Sequence, residues 1–112
     1  MGTFAIGEIV LAAFSHADLT SPKVRPCVVV SDLPGRNCIL CLITSQVPHR
    51  LEANVPITQD DFESGTLKKA PSYALVGRLW TADENLIHKS VGKLTEEIRS
   101  RILLAIQGLF NP

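Results

Sequence analysis

Apolar residues along this chain fall in short, dense runs broken by polar, Gly and Pro positions, which is the rhythm of strands. Glu8–Phe14, rich in Ile and Val after Gly7, predicts the first strand. Ser15–Pro22 is a polar loop ended by proline. Val24–Ser31 predicts a second strand, apolar throughout its latter half, as in a strand covered on both faces. Pro26 removes a backbone donor, so that end should be an edge or a bulge. Pro34-Gly35 suits the centre of a type II turn and makes Asn37–Thr44 the hairpin partner. Asn54–Thr58 reads as a short strand, and Gln59–Thr66 as a loop or short helical turn. Tyr73–Val76 and Arg78–Thr81 read as two short strands, or one strand bent at Gly77. Asp83–Asn85 is a turn, and Leu86–Val91 is a last strand stopping before Gly92.

The period then changes. Ile98, Ile102, Ala105, Ile106 and Leu109 recur at helical spacing. Thr95 suits the N-cap, Glu96 and Glu97 suit the first turn, and Glu97 and Arg101 are spaced as an i,i+4 pair. The pattern predicts a mostly β fold with a C-terminal α-helix: a small curled antiparallel β-barrel closed by that helix. At 112 residues this is one domain, residues 1–112.

Composition sharpens the picture in three ways. Eleven Lys and Arg balance eleven Asp and Glu, which argues against a bulk nucleic-acid binder or a polybasic membrane binder. The balance is uneven along the chain. Residues 23–50 carry Lys23, Arg25, Arg36 and Arg50 against Asp32, and residues 67–93 carry five cations against two acids. Residues 51–66 are purely acidic. A neutral protein with a local cationic groove fits these segments. Second, no apolar run approaches the roughly 18 residues of a membrane span, and no signal-peptide pattern opens the chain, so a cytoplasmic location is expected. Third, Cys27, Cys38 and Cys41 all lie in apolar, strand-like runs, which predicts reduced, space-filling thiols. Cys38 and Cys41 are three apart and would face opposite sides of a sheet.

Candidate chemistry is narrow. His16, His49 and His88 share no metal-ligand spacing with an acid or Cys, so no metal or other cofactor is expected. No nucleophile elbow and no glycine-rich phosphate loop is present. What remains is polar residues at the ends of apolar strands. Arg25 is nine residues before Pro34, and Thr44 is nine after Gly35, so antiparallel register brings them together. A guanidinium beside a hydroxyl suits a phosphodiester; equally, Arg25 is a surface strand residue and Thr44 a strand end.

At these residues the chain resembles the PemK/MazF family of toxins from type II toxin–antitoxin systems. Gly7-Glu8-Ile9-Val10, Lys23-Val24-Arg25-Pro26 with the following Cys-Val-Val-Val-Ser31, and Leu42-Ile43-Thr44-Ser45 resemble family motifs in order. Pro71–Asp83 and Val91-Gly92-Lys93-Leu94 continue the match. One departure is Gly77-Arg78, where the family often has an acid followed by Gln. The resemblance implies an SH3-like, PemK/CcdB-like barrel acting as a homodimer. It implies a metal-independent endoribonuclease that cuts single-stranded RNA by attack of the ribose 2′-hydroxyl, inhibiting translation and growth. It carries catalytic roles to Arg25 and Thr44. Lys23, Ser45, Gln46, Arg78 and Trp80 become candidate RNA contacts, with Trp80 and Tyr73 as base stackers or core aromatics. His16, Asp18 and Thr20 sit in the loop that would meet substrate or antitoxin. The cognate antitoxin would be a small acidic protein. The alternatives are a CcdB-like gyrase poison on the same barrel, for which Phe110 near the chain end is suggestive, and a catalytically inactive interaction module.

Overall fold

A computed structural model of the chain describes residues 4–14, 23–67 and 71–111. Along it run β1 (Glu8–Phe14), β2 (Lys23–Leu33), β3 (Asn37–Thr44), β4 (Val55–Ile57), β5 (Phe62–Gly65), β6 (Ser72–Asp83), β7 (Ile87–Leu94) and α1 (Glu96–Leu109). All strand pairs are antiparallel, in the order β4-β6-β3-β2-β1-β7-β5, and bulges in four of the pairings curl the sheet into a half-barrel. The expected β barrel with a terminal helix is therefore the architecture found. The segment Ser15–Pro22, with His16, Asp18 and Thr20, lies outside the described residues. No helix among the described residues is long and apolar enough to cross a membrane.

The sheet separates two apolar clusters. One is shared with α1 and holds Ile9, Val28, Val30, Cys41, Ile43, Val55, Ile57, Leu94, Ile98 and Ile102. The other holds Val10, Ala12, Cys27, Val29, Cys38, Leu40, Ala82 and Ile87, flanked by Leu42 and Trp80. Alternation along β2 sends Cys27 and Val29 one way and Val28 and Val30 the other, so the continuous apolar run is covered on both faces. The same alternation puts Cys38 and Cys41 in different clusters. All three thiols are free and buried.

α1 follows its expected cap and stripe. The Thr95 hydroxyl accepts the Ile98 N–H at 3.5 Å, Glu96 and Glu97 occupy the first turn, and Glu97 pairs with Arg101 at 3.4 Å. Ile98 and Ile102 are buried, with Ala105 and Ile106 packed beside them, but Leu109 is 42% exposed. The buried stripe thus stops a turn earlier than its spacing predicts.

Of the two readings of Tyr73–Thr81, the single bent strand is the one found: residues 72–83 form one strand, with its irregularity between the pairs Cys41–Leu79 and Ile43–Ala74, which brackets Gly77. Two boundaries differ from the sequence pattern. Gln59–Asp61 is a short helical turn, but Phe62–Gly65 is a strand on the edge of the sheet. β7 runs through Gly92 to Leu94 because Gly92 pairs with Gly65 of β5. A side chain at Gly92 would meet the Ser64 carbonyl oxygen at 2.7 Å, so glycine permits this close approach and does not end the strand.

Candidate functional site

Pro26 decides where the β2–β3 hairpin opens. Its ladder runs from the Leu33–Asn37 pair to the Cys27–Leu42 pair and stops short of Pro26, which has no N–H to give. Continued at the same offset, that register sets Arg25 opposite Thr44. The turn holds three residues between paired strands, Pro34 to Arg36, and one bulge falls between Val29 and Ser31. The two offsets cancel, so the count from the Pro-Gly turn remains correct at the strand ends. On their outer sides, Arg25 pairs with Ala12 of β1 and Thr44 with Tyr73 of β6. The two residues therefore lie in one row across the sheet.

The hairpin tip that fixes this register is anchored. Gly35 has φ +76° and Arg36 φ +63°, left-handed values that cost a non-glycine residue. Arg36 is compensated by Glu84: its carbonyl accepts the Glu84 N–H at 3.0 Å, and its Nε lies 3.5 Å from the buried Glu84 carboxylate.

The hairpin mouth faces a cleft of about 1150 Å³. Arg25, Thr44, Ser45, Gln46 and Arg78 all line it, together with Phe14, His49, Glu52 and Lys89. Lys23 and Trp80 do not line it. Lys23 is exposed at the start of β2. Trp80 belongs to the second apolar cluster and stacks edge-on against Phe14, with ring centroids 5.3 Å apart. Phe14, which the sequence pattern leaves as a strand end, is the aromatic that reaches the cleft.

Local bonding says what each lining group has left to offer. Thr44 Oγ accepts the Gln46 N–H at 3.2 Å, which orients the hydroxyl and leaves its hydrogen free to donate. Arg25 has no carboxylate partner among the described residues. Arg78 is different: its Nη2 lies 2.9 Å and its Nε 3.5 Å from the two oxygens of Glu52. The hydrogen bonds and charge of Glu52 push the Arg78 pKa further up, so it stays cationic, but its charge is locally cancelled. Glu52 is 26 residues from Arg78 in sequence, and no local pattern links them.

Burial pushes the Cys27 and Cys41 thiols up to about 12 and raises Cys38, which leaves no thiolate nucleophile near neutrality. The described residues hold no group of three or more His, Cys, Asp or Glu able to grip a metal ion.

Comparison with known proteins agrees with this architecture. Residues 5–110 match the profile of the PemK-like, MazF-like toxin of type II toxin–antitoxin systems. Among solved structures, the Mycobacterium tuberculosis toxin MazF-mt6 is similar at TM-score 0.68 and 21% identity, over 93% of this chain and 96% of that one. A MazE–MazF crystal structure from Deinococcus radiodurans is similar at TM-score 0.74 and 14% identity, over 99% and 98%. An endoribonuclease in complex with its cognate antitoxin from a mycobacterial species is similar at TM-score 0.72 and 12% identity, over 97% and 96%. No curated protein matches the sequence significantly.

Proposed function

Because the chain belongs to the PemK-like, MazF-like toxins of type II toxin–antitoxin systems, we propose that it is an endoribonuclease cutting single-stranded RNA in the cleft at the β2–β3 mouth. The observation that carries this reading is the continued β2–β3 register that sets Arg25, with no carboxylate partner among the described residues, opposite Thr44 in that cleft. Both groups are donors, and a phosphodiester presents acceptors.

In the proposed reaction the ribose 2′-oxygen bonds to the adjacent phosphorus and the bond from phosphorus to the 5′-oxygen breaks. The products are a 2′,3′-cyclic phosphate and a 5′-hydroxyl. The 2′-hydroxyl gives up one proton and the departing oxygen gains one, so charge balances. Arg25 holds a non-bridging oxygen and stabilises charge as the phosphorus becomes five-coordinate; it gives a proton to the departing 5′-oxygen and regains its own from the proton that the 2′-hydroxyl releases. Thr44 polarises the phosphate from the other side. A fixed guanidinium supplies the charge stabilisation that a metal otherwise would, so the route runs without one. Requiring the 2′-hydroxyl spares DNA.

The toxin works as a homodimer in this reading, with a solution mass twice that of the chain. Val47 and Leu51, 80% and 79% exposed near the cleft, supply apolar surface for a partner chain or antitoxin to cover. The cognate antitoxin is an acidic protein that competes with RNA for the cleft's cations.

One assay tests the reading. Purified protein is incubated with a long single-stranded RNA and excess EDTA, with and without an acidic antitoxin peptide. The wild type should cut, the peptide should slow it, and Arg25→Ala should lose about 100-fold or more. No cutting by the wild type, or equal cutting by Arg25→Ala, overturns the assignment. Gyrase-dependent DNA breaks in place of RNA cutting would favour a binding toxin, for which Phe110, 78% exposed at the end of α1, is the available contact.

A further inference from the structure

Glu52 is an anomaly in a cleft meant for a polyanion. Its carboxylate lines the same cleft as Arg25 and Thr44, where it repels phosphate unless something in the ligand donates to it. The residue is also unusually well held. Its N–H donates to the His49 carbonyl at 2.8 Å, and its own carbonyl accepts from the Asn54 amide at 3.0 Å. Arg78 grips the carboxylate from one side, at 2.9 Å on one oxygen and a looser 3.5 Å on the other. A carboxylate offers about four acceptor positions, so two remain after Arg78 has taken its share. The side chain is 25% exposed and Glu52 lines the cleft, so the carboxylate is within reach of a bound ligand.

We propose that Glu52 is a specificity residue that reads a guanine of the bound RNA, with Arg78 as its positioning residue. The inference rests on the RNA-cutting reading given above. Its chemistry is selective because the exposed edges of the four bases differ. Guanine presents two adjacent donors, N1–H and the N2 amine, and both can point at carboxylate oxygen. Adenine and cytosine each present one amine beside a ring-nitrogen lone pair, which a carboxylate repels. Uracil presents one N–H between two carbonyls. A preorganised acceptor with no donor of its own therefore prefers guanine and rejects the other three. Arg78 also cancels the charge that would otherwise push away the neighbouring phosphates, so the acceptor is compatible with an anionic strand.

The test maps cut sites on a random single-stranded RNA pool for the wild type and for Glu52→Gln. The wild type should show guanine enriched at one fixed position relative to the cut. Glu52→Gln replaces one acceptor oxygen by an amide donor, which suits adenine's donor–acceptor edge. It should lower the guanine preference at that position about tenfold and raise adenine there. A second measurement needs no variant: inosine lacks only the N2 amine, so placing it at that position should slow wild-type cutting severalfold. Wild-type cutting with no guanine preference, or with an unchanged profile in Glu52→Gln, overturns the proposal while leaving the nuclease intact. A uniform loss of cutting at all sites in Glu52→Gln, or equal cutting of inosine and guanosine substrates, overturns it as well. If the wild type does not cut at all, the nuclease reading has failed.

Discussion

Cys27, Cys38 and Cys41 illustrate how far burial alone sets the chemistry of a residue. Each sits in an apolar cluster, where the thiolate is far costlier than the thiol, and two are pushed up to about 12. A thiol with a raised folded-state pKa holds its proton more tightly in the folded chain than in the unfolded one. Its stabilisation is complete below the unfolded value of 9.0 and is lost as the pH climbs toward 12. Comparing urea midpoints at about pH 8 and about pH 11, the wild type should lose more stability than a Cys27→Ala/Cys41→Ala protein, which starts lower. Equal losses would mean that the thiols are solvated. The fate of these cysteines is legible in sequence because it depends on their own strands. That of Arg78 is not. As a cation in a basic block it looks like an RNA contact, yet Glu52 from a distant segment pairs with it and changes what it can offer. Nothing local in the chain encodes that meeting.

At the level of elements, the legible ones carry their own signal. β1 and β3 end where the apolar pattern ends, and α1 begins at its capping threonine. β5 was invisible for a physical reason: Phe-Glu-Ser-Gly is an edge strand with little burial, defined by backbone pairing and not by alternation. Its crossing with β7 depends on glycines at both positions. Gly65 has φ +75°, and a side chain there would run into the Val91 backbone. Gly108, in contrast, lies near the end of α1 with nothing within 4 Å of an added methyl. The two substitutions should therefore differ in sign. Gly108→Ala is expected to stabilise by up to about 1 kcal/mol through helix propensity. Gly65→Ala should destabilise by more than about 1 kcal/mol, combining strain with the clash at β7. Thermal or urea unfolding of the two variants decides it, and a neutral Gly65→Ala would show that β5 can leave β7 freely.

For the molecule as a whole, the proposed function requires zero net charge to coexist with binding a polyanion. The acidic stretch at residues 51–66 sends Glu52 into the cleft, where it cancels Arg78, while Arg25 and Lys89 line the same cleft with no carboxylate partner among the described residues. The electrostatic grip on RNA should therefore be weak and local. Single-stranded binding releases counterions with a slope of about −0.7 per phosphate neutralised, so two free cations predict a slope of log affinity against log salt of about −1.4 per cleft. Arg25→Ala should bring this to about −0.7, with the RNA chosen too short to occupy two clefts. Titrating a fluorescent oligonucleotide across a series of salt concentrations measures both. A slope several times steeper would mean that a broad basic surface engages the strand. A slope unchanged by losing Arg25 would place the phosphate path away from the β2–β3 mouth. A shallow slope shifts the burden of choosing a cut site from charge to geometry: register between Arg25 and Thr44 for the phosphate, and a held carboxylate for the base.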